Sequence, residues 1–296
     1  MLTKYLFTII LTFICNFSAA QSYPDLLYKE MGKIDLFYSY ETQEDPISIA
    51  EITNQANDYF TKIFGDLDMQ VNLLVINPDD WGKFTSEQII YGMPHYRSTD
   101  NSIIVASDDN FFWAANLPDD SQLESPYKEL FFETYGTEDG GLSARHFFDL
   151  GTVHELAHLW LVNGGRERQR IWLEEIFCNL ATLAFIESER AEWISGLTLL
   201  TDYHVANTNV PLQFTTLETF EENRMRIVIE APWNYGWYQF RFIQAAGLLY
   251  KAGGADLLKK LWDFQGTYQE KLSDEDLIKK LEEEVHPFFR SLIEEW

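Results

Sequence analysis

Cysteine is scarce in this chain: its 296 residues include two, Cys15 and Cys178. Cys15 falls in an N-terminal stretch with the marks of an export signal. Lys4 gives a positive start, YLFTIILTFICNF (residues 5–17) an apolar run, and Ser18-Ala19-Ala20 a small-residue cleavage site. Cleavage near Ala20 leaves Cys178 alone, so the mature chain, secreted or periplasmic, forms no internal disulfide and is held by its core and by any metal it binds. The apolar run is short for a bilayer-spanning helix, and no stable membrane insertion is expected once it is removed. Phe13 and Ile14 stand where a lipoprotein signal needs small residues. Basic residues are also few, 22 Lys and Arg against 47 Asp and Glu, for a formal net charge of −25. That excludes polyanionic partners such as nucleic acid or anionic lipid and leaves small molecules, peptides and proteins. Internal repeats and low-complexity linkers are absent.

What is present is a globular composition, 46% hydrophobic, in a chain long enough to bury a large core. Residues 47–64 show helical spacing, with Ile52, Ala56, Tyr59, Phe60 and Ile63 on one side and Gly65 as the stop. Two β-rich runs follow, QVNLLVI (residues 70–76) and NSIIVAS (residues 101–107), each bounded by turn residues. From Ser143 onward the periods are helical: one helix ends at Asn163-Gly164-Gly165 and a second covers residues 171–191. LSDEDLIKKLEEEV (residues 272–285) reads as an outward-facing amphipathic helix with Ser273 and Asp276 at its cap. Sheet first and helices afterwards predicts an α+β fold, divided as signal (1–20), an N-terminal α/β part (21–140) and a helical part (141–296).

Within the first of those later helices, GTVHELAHLW (residues 151–160) contains H-E-x-x-H as His154, Glu155 and His158. Positions i and i+4 share a helix face, so both imidazoles can reach one metal ion, while Glu155 stands about 100° around and can hold a water without ligating. A catalytic zinc needs a third protein ligand, and WLEEIFCNLATLAF (residues 172–185) offers Glu174 and Glu175. Glu175 opens a polar stripe with Asn179 and Thr182 on a helix otherwise apolar, whereas Glu174 shares its stripe with Cys178 and Ala181. Asn179 is then placed to fix the tautomer of a ligating imidazole. The remaining histidines, His95, His146, His204 and His286, read as structural.

HELAHLW followed by WLEEIFCNLA resembles the gluzincin zinc metallopeptidases, in particular the branch with the alanyl-type aminopeptidases, over about residues 145–260. The resemblance implies a thermolysin-like fold: a small sheet whose edge strand runs along the cleft, then the two zinc helices, then a helical lobe. It puts His154, His158 and Glu175 on the zinc, with Glu155 as the general base that takes the proton of the attacking water and passes it to the leaving nitrogen. It also implies a tyrosine hydroxyl on a later helix as donor to the oxyanion. Counting back from the Gly253-Gly254 turn selects Tyr238, with Tyr235 three residues earlier. NSIIVAS is the candidate edge strand for an extended peptide or protein substrate, with an interior strand that has no substrate role as the other reading. Two features differ from that branch: only 16 residues separate His158 from Glu175, and no G-x-M-E-N stretch for a substrate amino terminus lies upstream. Two other readings stand beside an exported zinc metallopeptidase. One is a non-catalytic peptide- or glycan-binding protein on the same scaffold, against which the presence of Glu155 speaks, and the other is a zinc hydrolase of a non-peptide bond.

Overall fold

A computed structural model describes residues 23–296 apart from 44, 120, 122, 209 and 210, so the expected export signal (residues 1–20) lies outside the described residues. The N-terminal part is a five-stranded mixed sheet. Strands β1 (Leu27–Met31) and β2 (Ile34–Tyr38) form a hairpin, helix α1 (Pro46–Phe64) crosses to β3 (Val71–Ile76), and α2 (Pro78–Phe84) leads to β4 (His95–Arg97) and β5 (Ser102–Ala106). The strand order is β1-β2-β3-β5-β4, with the three central strands parallel and both edges antiparallel. Central strands are covered on both faces, which is why VNLLVI and SIIVA are apolar without alternation. Leu73, Val75, Ile103 and Val105 join the main core under the helices, whereas Leu74, Ile76 and Ile104 pack with Phe37, Trp81 and Trp113 on the other side.

The run NSIIVAS is therefore an interior strand, flanked by β3 and β4. The edge next to the later helices is β4, three residues long and preceded by Pro94, too short to show a period in the sequence. Expected elements elsewhere form with small shifts of boundary. Asp45 caps α1 by accepting from the Ile47 N–H, Pro46 occupies the first turn, and Gly65, at φ 96°, ends it.

Helices α3 (Phe111–Ala114) and α4 (Tyr127–Tyr135) connect to α5 (Arg145–Asn163). Helix α5 ends in a Schellman motif: the Arg166 N–H reaches the Leu161 carbonyl at 2.9 Å, the Gly165 N–H reaches Val162 at 3.1 Å, and Gly165 adopts φ 61°. Helix α6 (Ile171–Glu189) is buried from Trp172 to Ile186 and is enclosed by α1, α5, α8 (Leu217–Glu230) and α9 (Pro232–Thr267). Helix α7 (Ile194–Ala206) packs on α5 and α9. Helix α9 breaks at Gly254, whose φ of 59° suits glycine alone without strain. The amphipathic segment forms α10 (Asp274–Lys280) from Ser273, then widens into a π-turn over Leu281–Val285 before α11 (Phe288–Glu294). One apolar core runs from Leu36 in the sheet to Leu292 in α11. Among the described residues no helix is long and apolar enough to cross a membrane.

Candidate metal centre

Helices α5 and α6 bring the two motifs together. The His154 and His158 Nε2 atoms lie 3.1 Å apart, and Glu175 Oε2 is 3.4 Å from the first and 4.0 Å from the second. Each imidazole is fixed through its other nitrogen. The Asn179 amide donates its N–H to the Glu175 carbonyl at 2.9 Å, which leaves its oxygen to accept from His154 Nδ1 at 3.1 Å. His158 Nδ1 donates to Glu174 Oε1 at 2.7 Å, and the other oxygen of Glu174 is held by Arg168. Both Nε2 atoms therefore face the space beside Glu175.

An ion bound tetrahedrally, about 2.0–2.2 Å from nitrogen and oxygen ligands, needs those atoms roughly 3.3 Å apart. The three separations of 3.1, 3.4 and 4.0 Å scatter around that value, so the donor set fits such an ion without backbone movement. A second set overlaps it: ligand atoms of His154, His158 and Cys178 all lie within 4.8 Å of one another and could hold a metal. The two candidates for third ligand differ in readiness. Burial pushes the Glu175 carboxyl up, but hydrogen bonding to His154 and the charges of His158 and Arg224 outweigh it and hold the group down at about 2. Burial pushes the Cys178 thiol up to about 12, despite the neighbouring His158, so it keeps its proton. For His158, burial is outweighed by the hydrogen bond to the Glu174 carboxylate and by its charge, which raise the pKa well above the ordinary value. A metal ion has to displace a proton there.

The face of α5 that carries Glu155 and His158 is crossed by β4. Gly151 makes the approach feasible: a Cβ there would sit 2.9 Å from Pro94 Cγ. The Tyr96 ring stacks on His158 at 4.7 Å between centroids and 14° between planes, and the Tyr96 backbone N–H bonds the Glu155 carboxylate. Burial raises the Glu155 pKa, with Glu175 adding to the effect and the two histidines and the Tyr96 N–H partly offsetting it. Glu155 is thus placed beside the ligand triangle without being part of it.

Of the two tyrosines on α9, the structure brings Tyr235 to this group and not Tyr238. The fully buried Tyr238 donates its hydroxyl to the Thr216 carbonyl at 2.8 Å and meets Thr219 Oγ1 at 3.1 Å, with its ring packed among Phe220, Trp237 and Trp296. It fastens α9 to the first turn of α8. Tyr235 accepts a hydrogen bond from Arg224 and lies within electrostatic reach of Glu175 and Glu155. Burial and those two carboxylates push its hydroxyl up to about 12 against the opposing pull of Arg224, so the phenol is a proton donor at neutral pH. Arg224 in turn has Nη2 3.8 Å from Glu175 Oε1.

Sequence reading missed Tyr96, Arg168 and Arg224. Arg168 stands in GGRERQR (residues 164–170), the loop between the two motif helices, and Arg224 stands in ENRMRI with no motif around it. The other histidines serve local structure. His95 Nδ1 contacts the Met93 carbonyl, His146 packs against Trp193, His204 contacts the Asn116 carbonyl, and His286 accepts the Phe288 N–H.

Among solved structures, the chain is similar to the crystal structure of an aminopeptidase N family protein from Idiomarina loihiensis. The TM-score is 0.53 at 13% identity, over 87% of this chain and 44% of that one. It is also similar to an M1 zinc metallopeptidase from Deinococcus radiodurans, with a TM-score of 0.47 at 14% identity over 91% of this chain and 49% of that one. The chain therefore spans less than half the length of either protein. What is shared at this identity is the α+β fold. No protein-family model matches the chain, and no curated protein does.

Proposed function

We propose that this chain, which shares its fold with an aminopeptidase N family protein, is a zinc-dependent metallopeptidase of thermolysin-like construction. His154, His158 and Glu175 are its metal ligands. The observation that carries the reading is the near-tetrahedral triangle of ligand atoms with Glu155 beside it, one buried carboxylate ionised and the other with its pKa raised. Bound zinc would polarise the scissile carbonyl and make water more acidic. The remaining chemistry belongs to the chain. Glu155, oriented by the Tyr96 N–H, takes a proton from the attacking water and delivers it to the leaving nitrogen, a task for which a carboxyl with a raised pKa is suited. Tyr235, its oxygen held by Arg224, directs its own proton at the developing oxyanion. Asn179 and Glu174 keep the imidazoles in the tautomer that ligation requires.

A structural zinc has no use for a base, so a mere binding module on this scaffold would leave Glu155 idle. The composition of residues 1–20 supports action outside the cytoplasm, on peptides or proteins. The test is a mixed peptide library incubated with zinc-loaded and zinc-stripped protein, alongside metal analysis. One zinc per chain and cleavage that disappears and returns with the metal are expected. Full zinc loading without cleavage of any peptide would overturn the peptidase reading.

A further inference from the structure

A free substrate amino terminus needs a carboxylate with hydrogen-bonding capacity to spare, and the carboxylates gathered at this centre are committed. Glu155 holds the Tyr96 N–H and is kept for proton transfer. Glu174 is clamped between His158 and Arg168, and Glu175 faces both imidazoles and Arg224. Glu221, one turn before Arg224, accepts the Ile171 N–H at the start of α6. The centre does hold a cation with donors left over. Arg224 bonds the Tyr235 oxygen, but its contact with Glu175 is 3.8 Å, beyond hydrogen-bond length, and its Nε has no hydrogen-bond partner. Nε is buried, while the side chain as a whole keeps 36% exposure, so a solvent-borne group reaches the guanidinium at its exposed part and Nε is the donor left unpaired behind it. Arg168 is different, since both its Nε and Nη2 are spent on Glu174.

From this we propose, building on the metallopeptidase reading, that the site recognises substrate through a carboxylate next to the scissile bond rather than through an α-amine. Arg224 is the residue that reads it. A guanidinium presents paired N–H donors that match the two oxygens of a carboxylate. Arg224 touches Tyr235, so the carboxylate it binds lies about one residue from the carbonyl that Tyr235 serves. Two sources supply that chemistry: the C-terminal carboxylate of a short peptide, or an acidic side chain beside the cleaved bond. Main-chain pairing along β4 offers little in competition. Pro94 has no N–H, and the outward N–H of Tyr96 is taken by Glu155.

The test uses zinc-loaded Glu155→Gln protein, in which probes bind without being cleaved, and four probes: acetyl-Phe-Ala acid, acetyl-Phe-Ala amide, acetyl-Phe-Glu amide and Phe-Ala amide with a free amine. Calorimetry should show the acid, the glutamyl amide or both binding about tenfold or more tighter than acetyl-Phe-Ala amide, the scale of one charge-assisted contact. Which of the two gains identifies the source of the carboxylate. The free amine should gain nothing. Adding Arg224→Gln should erase the difference, and Arg224→Lys, which keeps the charge, should retain part of it. A carboxylate gain that survives Arg224→Gln would mean that the metal and not Arg224 reads the group, and tighter binding of the free amine would point to amino-terminal recognition. Either result overturns the proposal. If Arg224→Gln does not fold, the lysine variant and the acid-against-amide comparison still decide it. Wild-type turnover of the library separates the two claims: carboxylate preference without any cleavage would sink the peptidase reading and leave this one standing.

Discussion

Tyr235 and Tyr238 lie less than one turn apart on α9, and removing one oxygen atom from each should produce different losses. In Tyr235→Phe the ring stays, still packed on Phe220, and what disappears is the hydroxyl that the proposed mechanism uses as donor to the developing oxyanion. Losing one such donor costs roughly 2.7–4 kcal/mol of transition-state stabilisation, so kcat should fall about a hundredfold or more. KM and the melting temperature should change little, because the donor acts on charge that exists only in the transition state. In Tyr238→Phe the opposite holds. The hydroxyl leaves the Thr216 carbonyl and Thr219 Oγ1 without their partner, at a cost of about 1–2 kcal/mol for bonds that are part-buried although the ring is buried. In domains of 150–250 residues that corresponds to roughly 2–4 °C per kcal/mol, so Tyr238→Phe should melt several degrees lower with kcat unchanged on a well-cleaved library peptide. Steady-state kinetics and calorimetric melts of the two zinc-loaded variants give all four numbers. Tyr235→Phe with unimpaired kcat, or Tyr238→Phe with normal melting and a hundredfold loss of turnover, would refute the assignment.

Glu155→Gln should keep one zinc per chain while losing at least about a hundredfold in turnover, the usual span of general-base catalysis; stoichiometric zinc loss in this variant would show Glu155 to be a ligand. The same change should stabilise the metal-free protein at neutral pH. A carboxyl whose folded pKa is raised contributes stability that is fully present below its unfolded pKa and is lost as pH rises toward the folded value, a loss that Gln does not suffer. Melting curves of both proteins from pH 4 to 8 should therefore diverge as pH rises, and parallel curves would contradict the raised value. Glu175→Ala should abolish zinc retention on dialysis, whereas Glu174→Ala, which frees His158 Nδ1, should weaken affinity about 10- to 100-fold; equal retention in the two would remove Glu175 as ligand. Gly151→Ala should push Pro94 and β4 away from α5 and lower kcat/KM several-fold with zinc content intact, and wild-type kinetics would mean that Tyr96 does not orient Glu155.

The parts of this site that one helix fixes by itself were legible. His154 and His158 are one turn apart on α5, and the phase of a single helix determines that they converge. The Glu175, Asn179, Thr182 stripe was readable because a polar side chain on a helix buried all round needs a partner inside, and Asn179 finds one in His154. Strand β4 was not readable. Three residues next to a proline carry no period, and His95–Arg97 become the edge strand only because β5 pairs on both sides. Arg168 and Arg224 come from a loop and from α8, and what directs them to Glu174 and Glu175 is the packing of those elements on α6, to which local sequence is blind.

The choice of tyrosine was open to the same stripe argument that favours Glu175 over Glu174. Three residues along a helix turn the side chain through about 300°, so Tyr235 and Tyr238 point about 60° apart and stand on different rows. Ala245 and Leu249, both apolar and buried, lie within about 20° of Tyr238, and Phe242 falls between the two tyrosines. Tyr235 is followed one turn later by Gln239, whose Nε2 is buried without a hydrogen-bond partner. A tyrosine in an apolar row is a core ring with a hydroxyl that must be satisfied locally, and Thr216 and Thr219 satisfy it. Tyr235 shares its side with the buried Phe242 and Ala246, but Gln239 adds a buried amide nitrogen one turn away, a polar neighbour such as Asn179 gives Glu175 on α6. Position relative to the glycine turn measures distance along the axis, whereas function depends on rotation about it, and only the row to which each residue belongs reports that rotation.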